Sequence, residues 1–218
     1  MQLKLHAYKK IYFSLFLFTL LSLTPLFAHP HVAIESKLNF VFEDNKLEGV
    51  YVEWKFDHFF SADIISWLDV DKNGQFDEKE SVEVYNNAFI NLRHYYYYTF
   101  IRQGSERTNP SKVEQFRARI EKGQMIYRFY IDLSQYPKGE LYFANYDYTF
   151  FTDVSYPESA GIEFTLKNSS IKPQYSISAN KDYPVYYNPL GAIDDTRVYY
   201  KWEKGLQTYY PIEVKISY

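Results

Sequence analysis

The stretch Asp69 to Glu80 reads DVDKNGQFDEKE, and its oxygen-bearing side chains are spaced to meet at one point. Calcium is a hard cation that takes about six to eight oxygens, and a twelve-residue loop supplies them when positions 1, 3, 5, 9 and 12 turn inward. Those positions hold Asp69, Asp71, Asn73, Asp77 and Glu80, with Gln75 at position 7 offering its backbone carbonyl. Gly74 stands at position 6, where the loop has to bend sharply, and Phe76 at position 8 is the apolar residue that packs the loop inward. Glu80 is expected to give both carboxylate oxygens, and Asp77 to act directly or through a water. The bland alternative is an Asp/Gly turn between two helices, which would not require every ligand position to be filled.

The loop resembles an EF-hand. Sensors of that kind pair two hands and expose a methionine-rich groove on loading. This chain has one such loop and two methionines, one of them the initiator, so a structural calcium ion is expected.

A second group of ligands stands near the start. Met1 to Lys10 is basic, Ile11 to Leu23 is almost wholly apolar, and Pro25 precedes Leu26-Phe27-Ala28. This is the pattern of a secretory leader, 1–28, cleaved after Ala28. Cleavage gives His29 a free α-amine, which with its imidazole and that of His31 can hold Ni2+, Co2+, Zn2+ or Cu2+. The amino-terminal copper/nickel motif with His third is excluded, because Pro30 has no amide proton to lose. A copper histidine brace would need a distant partner for His29, for which His58 and His94 are the candidates. A polar cleavage junction is the non-functional alternative.

Composition narrows the function classes. Loss of the leader removes three lysines and takes the formal net charge from −3 to −6, which disfavours nucleic acid as a partner. The absence of cysteine excludes disulfides, zinc–thiolate sites and thiol catalysis. There is no glycine-rich phosphate loop, no G-x-S-x-G elbow and no HExxH motif, so the expectation is a protein that is not an enzyme. The tyrosine runs at 95–98 and 182–188 read as strand faces and rims, and no sugar ligand is expected.

The elements that must position these ligands are mostly strands. Ile34 to Phe42 and Val50 to Phe56 alternate about a polar turn, and RARIEKGQMIYRFYIDL repeats the design about Lys122-Gly123. Further short strand-like segments follow, broken by Pro, Gly, Asn and Asp. The fold class is therefore mainly β and β-sandwich-like, a single domain over 29–218. The inserted helix–loop–helix, 61–93, carries the acidic loop: Ser61 as cap with Phe60, Ile64 and Leu68 on one face, then Val82, Tyr85, Phe89 and Leu92 on another. Gly104 to Ser111 is read as a loop.

The start AHPHV, the segment VEWKFDHFFS, the acidic loop and NLRHYYYYTFIRQG together resemble a domain-of-unknown-function family of bacterial periplasmic proteins labelled as periplasmic components of ABC-type transport. The resemblance implies a periplasmic location and an association with nickel/cobalt permeases of the inner membrane. Solute-binding proteins of such importers close two α/β lobes on a ligand, a pattern foreign to this run of short strands. The expectation is a calcium-binding accessory protein in nickel, cobalt or zinc transport or homeostasis. Two alternatives stay open: an oxygenase-like enzyme with a copper brace, and an interaction module stiffened by calcium without a transition-metal site.

Overall fold

A computed structural model describes residues 29–157, 159–192 and 197–218. The expected leader, 1–28, lies outside the described residues. No helix among them is long and apolar enough to cross a membrane.

The chain is mainly β. Strands β1 (Val32–Glu43) and β2 (Lys46–Phe56) form the first hairpin, turning at Asp44 and Asn45 with φ of 49° and 65°. Glu43 pairs with Lys46, so the turn has two residues, and left-handed Asp and Asn give it the twist that matches the strands. After the helical segment come β3 (Thr99–Gln103), β4 (Glu106–Thr108), β5 (Glu114–Glu121) and β6 (Gln124–Asp132). The β5–β6 turn is again two left-handed residues, Lys122 and Gly123. The chain continues with β7 (Glu140–Asn145), β8 (Thr152–Ser155), β9 (Ile162–Lys167) and β10 (Gln174–Ala179). It ends with β11 (Val185–Tyr187), β12 (Gln207–Tyr209) and β13 (Ile212–Ser217).

One sheet has the order β5-β6-β2-β1-β8, with β9 also on β1; the other has the order β10-β13-β7-β3-β4. Both send alternate residues into a single apolar cluster, as in a sandwich: Leu38, Phe40, Val52, Trp54 and Phe129 from the first, Ile101, Leu141, Phe143, Val214 and Ile216 from the second. The first sheet is mixed, since β1 runs parallel to β8 through Val32–Glu35 and to β9 through Leu38–Glu43. The segment after Gln103 is a tight hairpin at Gly104-Ser105 into β4, so the expected loop of 104–111 is in part a strand.

The helix–loop–helix consists of α1 (His58–Leu68) and α2 (Glu78–Asn87), set against expected limits of 61–93. Asp57, not Ser61, caps α1: its Oδ1 accepts the N–H groups of Phe59 and Phe60, while Oδ2 accepts Ala33 N–H at 2.9 Å and ties the cap to β1. Ser61 is buried in the first turn. Its Oγ accepts the Met125 N–H at 2.9 Å. On α2 the buried apolar residue is Val84, whereas Val82 is 51% exposed, because the helix stops at Asn87 and Phe89 enters the core from a different turn.

The tight helical stretch Phe89–Tyr98 ends in three left-handed tyrosines, Tyr96, Tyr97 and Tyr98, with φ of 56°, 49° and 49°. Each such residue costs about 1–2 kcal/mol. A buried polar network holds them. The Asn145 side chain donates to the Tyr98 carbonyl at 3.2 Å and to Thr99 Oγ1 at 3.0 Å, and accepts from Ser36 Oγ at 2.9 Å. Thr99 Oγ1 donates to the Tyr97 carbonyl. Ser36, Thr99 and Asn145 are all fully buried, so each of these bonds satisfies a group that water cannot reach.

Candidate functional site

The acidic loop leaves α1 at Asp69 and enters α2 at Glu78. Lys72 and Gly74 take left-handed backbone, φ 58° and 77°, and fold the chain back on its first carboxylate. Asp69 Oδ1 accepts the Asn73 N–H at 3.1 Å and Oδ2 accepts the Gly74 N–H at 3.0 Å. Asp71 accepts from both the backbone and the side chain of Asn73. Asn73 Oδ1 accepts the Gln75 N–H at 2.8 Å. Each early ligand position is thus tied by Asx-type bonds that aim its oxygens toward the loop centre.

The far end of the loop folds onto the near end. Asp77 caps α2 by accepting the Glu80 N–H at 2.8 Å, and Glu80 Oε2 accepts the Asp77 N–H, a reciprocal capping box. Glu80 Oε1 also accepts the Val70 N–H at 2.8 Å, closing the loop between its second and twelfth residues. Oxygens of Asp69, Asp71 and Glu80 come within 4.8 Å of one another, with Asp69 and Glu80 buried. Asp77 is not among the converging carboxylates, its side chain being used on the helix cap; the Asn73 amide donates to Asp71 and accepts the Gln75 N–H, and Gln75 takes part through its backbone. Phe76 packs against the main core, which anchors the loop from inside. Hard oxygen donors and a preformed bend suit Ca2+ far better than a soft metal.

The histidine pair is brought together at the start of β1. The His29 and His31 rings lie 4.7 Å apart edge to face, and both contact Phe151. His31 donates its backbone N–H to the Phe151 carbonyl at 2.8 Å, which fixes its position against the start of β8. His29 is buried, and Tyr187 of β11 lies against its ring at 6.4 Å. The His31 Nε2 atom is buried without a hydrogen-bond partner among the described residues. Asp153 stands opposite Ala33 in the β1–β8 register, on the face of His31. Burial raises its carboxyl above the usual range, and the Val154 N–H offsets only part of that. Burial, then the charge of Asp153, raises the Tyr187 phenol.

His58 and His94 are both exposed, and no ring contact joins either to His29 or His31. His94 Nε2 instead accepts from Arg93 at 3.2 Å. The residues expected for a brace are therefore not assembled. One further group carries no signal in the sequence: Arg107, a lone basic residue of β4, lies over Phe100 and Tyr183 beside a ring-lined cavity.

Fold and site together define a class: a mainly β protein of several sheets, carrying a helix–loop–helix with a converging carboxylate loop. The chain belongs to the protein family of unknown function DUF1007, whose profile matches residues 14–218. It is also similar to an uncharacterized 15.5 kDa protein in the trpE 3′ region of Spirochaeta aurantia, 29% identical over 136 residues, which cover 62% of this chain and 94% of that protein. No solved structure matches it significantly.

Proposed function

We propose that the protein is an exported calcium-binding accessory of transition-metal transport or homeostasis, acting in the periplasm beside an inner-membrane permease. The observation that carries the calcium assignment is the convergence of Asp69, Asp71 and Glu80 from opposite ends of the twelve-residue loop. The ion would neutralise carboxylates that otherwise repel at short range, and would tie α1 to α2 through both ends of the loop. With one loop of this kind, calcium acts as a structural clamp.

The exchangeable metal belongs to His29 and His31, whose rings stand close enough to share an ion after modest rotation. Imidazole nitrogens suit Ni2+, Co2+, Zn2+ and Cu2+, and the free amine left by cleavage after Ala28 would add a third nitrogen. The periplasmic setting rests on the leader pattern of 1–28. The permease and the preference for nickel or cobalt rest on the resemblance of the AHPHV start and acidic loop to periplasmic transport components.

The test is calorimetric titration of the chain beginning at His29 with Ca2+, Ni2+, Co2+, Zn2+ and Cu2+. Glu80→Gln should abolish the calcium isotherm and leave the transition metals, whereas His31→Gln or one extra residue before His29 should do the reverse. At calcium one hundred times Kd the folded state gains about 2.7 kcal/mol, a Tm rise of roughly 5–10 °C. Calcium binding that survives Glu80→Gln would remove the loop assignment. Transition-metal affinity indifferent to both N-terminal changes would remove the histidine site.

A further inference from the structure

The outer face of the second sheet carries a smaller apolar cluster of its own. Phe100, Ala144, Tyr146 and Phe150 are covered there by the β11–β12 ribbon through Val185, Tyr187 and Tyr209. Beside this cluster opens a cavity of about 370 Å³, within the range of small-molecule sites. Its walls include Tyr96, Phe100, Arg107, Tyr146, Tyr183 and Tyr199. Six of its described lining residues are tyrosines, which bring hydroxyls as well as ring faces, and no described lining residue is a carboxylate.

Arg107 is the one charged side chain among the described residues of this lining. Its guanidinium carbon lies 4.4 Å from the Phe100 ring centre, 4.2 Å from that of Tyr183 and 5.6 Å from that of Tyr146. Arg102 faces Arg107 across β3 and β4, and it is neutralised by Glu213, with Nη2 and Oε2 3.0 Å apart. Arg107 makes no side-chain hydrogen bond or ion pair among the described residues. Burial lowers the pKa of its guanidinium, and the more distant Glu213 and Tyr183 offset this only in part. A cation placed among rings without a counter-charge loses hydration and gains only quadrupole attraction. With rings against its faces, the N–H edge of a guanidinium is the part left for a partner, and a planar carboxylate matches it with two parallel bonds.

The left-handed turn points to the same place. Tyr97 and Tyr98 are buried in the main core, but Tyr96 is 47% exposed and reaches the cavity, 6.0 Å from both Phe100 and Tyr148. The core explains the backbone strain at the two buried tyrosines. At Tyr96 the strain leaves the side chain only about half buried and sets its ring on the rim of the cavity.

We infer that this cavity binds a small organic carboxylate with a flat ring body, its carboxylate held in the plane of the Arg107 guanidinium and its ring stacked among Tyr96, Tyr183 and Tyr199. Charge recognition comes from one arginine, and the tyrosines provide a sequence of faces and hydroxyls tolerant of different ring substituents. None of the residues assigned to the acidic loop or the histidine pair lines this cavity, although Tyr187 of the covering ribbon also touches His29.

The test uses the full exported chain, with 2-naphthoate as probe, its neutral amide as the charge control and inorganic phosphate as the ring control. Binding is read by calorimetry and by saturation transfer to the probe protons. Naphthoate should bind, with the amide and phosphate each at least tenfold weaker. Arg107→Gln should weaken naphthoate at least tenfold while leaving the amide unchanged, and Arg107→Lys should recover only part of the loss. Should Arg107→Gln fail to fold, Tyr96→Gly provides the second arm: it relieves backbone strain, so it should keep or raise Tm while weakening naphthoate several-fold. Absence of naphthoate binding up to millimolar concentration overturns the proposal. So does equal affinity for acid and amide, which would make the cavity a plain apolar cleft, or equal affinity for phosphate, which would make Arg107 a general anion contact.

Discussion

Ser81 Oγ, on the second helix, accepts the backbone N–H of Ala118, on the edge strand β5, at 2.9 Å. The bond has a twin on the first helix, where Ser61 accepts from Met125 on β6. Two hydroxyls thereby dock the helix pair onto the β5–β6 hairpin, and α2 covers backbone donors that an edge strand would otherwise present to other chains.

Ser81→Ala should strand the buried Ala118 N–H and cost about 1–3 kcal/mol. Chemical denaturation should show the loss with an unchanged m-value, and amide exchange should quicken first at Ala118. A substitution that leaves stability within about 0.5 kcal/mol would mean that water replaces the hydroxyl.

Asn145 holds the tyrosine turn to β1 through three side-chain bonds. Asn145→Leu keeps the branch at Cγ but is bulkier and leaves Ser36 Oγ, Thr99 Oγ1 and the Tyr98 carbonyl without that partner, so a loss of at least about 2 kcal/mol is expected. Ser36→Ala should cost less, about 1 kcal/mol, and a double-mutant cycle should show the two coupled.

Asp147 is buried between β7 and β8, where it accepts from the Thr149 N–H and hydroxyl and the Thr152 N–H. Desolvation outweighs these donors and raises its carboxyl above the usual range. The folded chain therefore holds the proton more tightly than the unfolded one. The contribution is fully present below the unfolded value of about 3.9 and is lost as pH rises through the folded value. Against Asp147→Asn, which does not titrate, the wild-type Tm should gain as pH is lowered from about 7 towards 4. A difference moving the other way would show that the three donors win.

Gly49 sits where β2 runs beneath the Tyr130 ring, and a Cβ there would meet the phenol and come within 2.5 Å of the Ile131 carbonyl oxygen. The ring can move but the carbonyl cannot. Gly49→Ala should destabilise by about 1–3 kcal/mol through overpacking, measured as a lower midpoint in denaturant.

The local rules carried the hairpins. Asp44-Asn45 and Lys122-Gly123 can both adopt left-handed backbone, and alternation on either side leaves one register that buries Phe40, Val52 and Phe129 together. The convergence of Asp69, Asp71 and Glu80 was legible for the same reason, since these carboxylates are spaced along a single short segment. Asp57 was legible in principle, being an Asp directly before an apolar run, but Ser61 is an equally good cap by type and only the tie to Ala33 decides between them. The parallel pairing of β1 with β8 and β9 leaves no local trace, because nothing near Val32 names a partner beyond residue 150. The left-handed tyrosines contradict their own propensity, and the Asn145 network that enforces them is assembled from distant segments. Arg107 was invisible because having no ion pair among the described residues is a property of its neighbours.

The bond from His31 to the Phe151 carbonyl links points roughly 120 residues apart along the chain. Contacts of that separation form late, after the local hairpins have repaid the entropy of bringing the ends together. During folding His29 and His31 are thus among the last residues to be fixed, and the pocket of Phe151 and Tyr187 around them exists only once the second half of the chain has arrived. In an unfinished chain the two imidazoles are loose; their edge-to-face pairing is a report that the whole sandwich has closed.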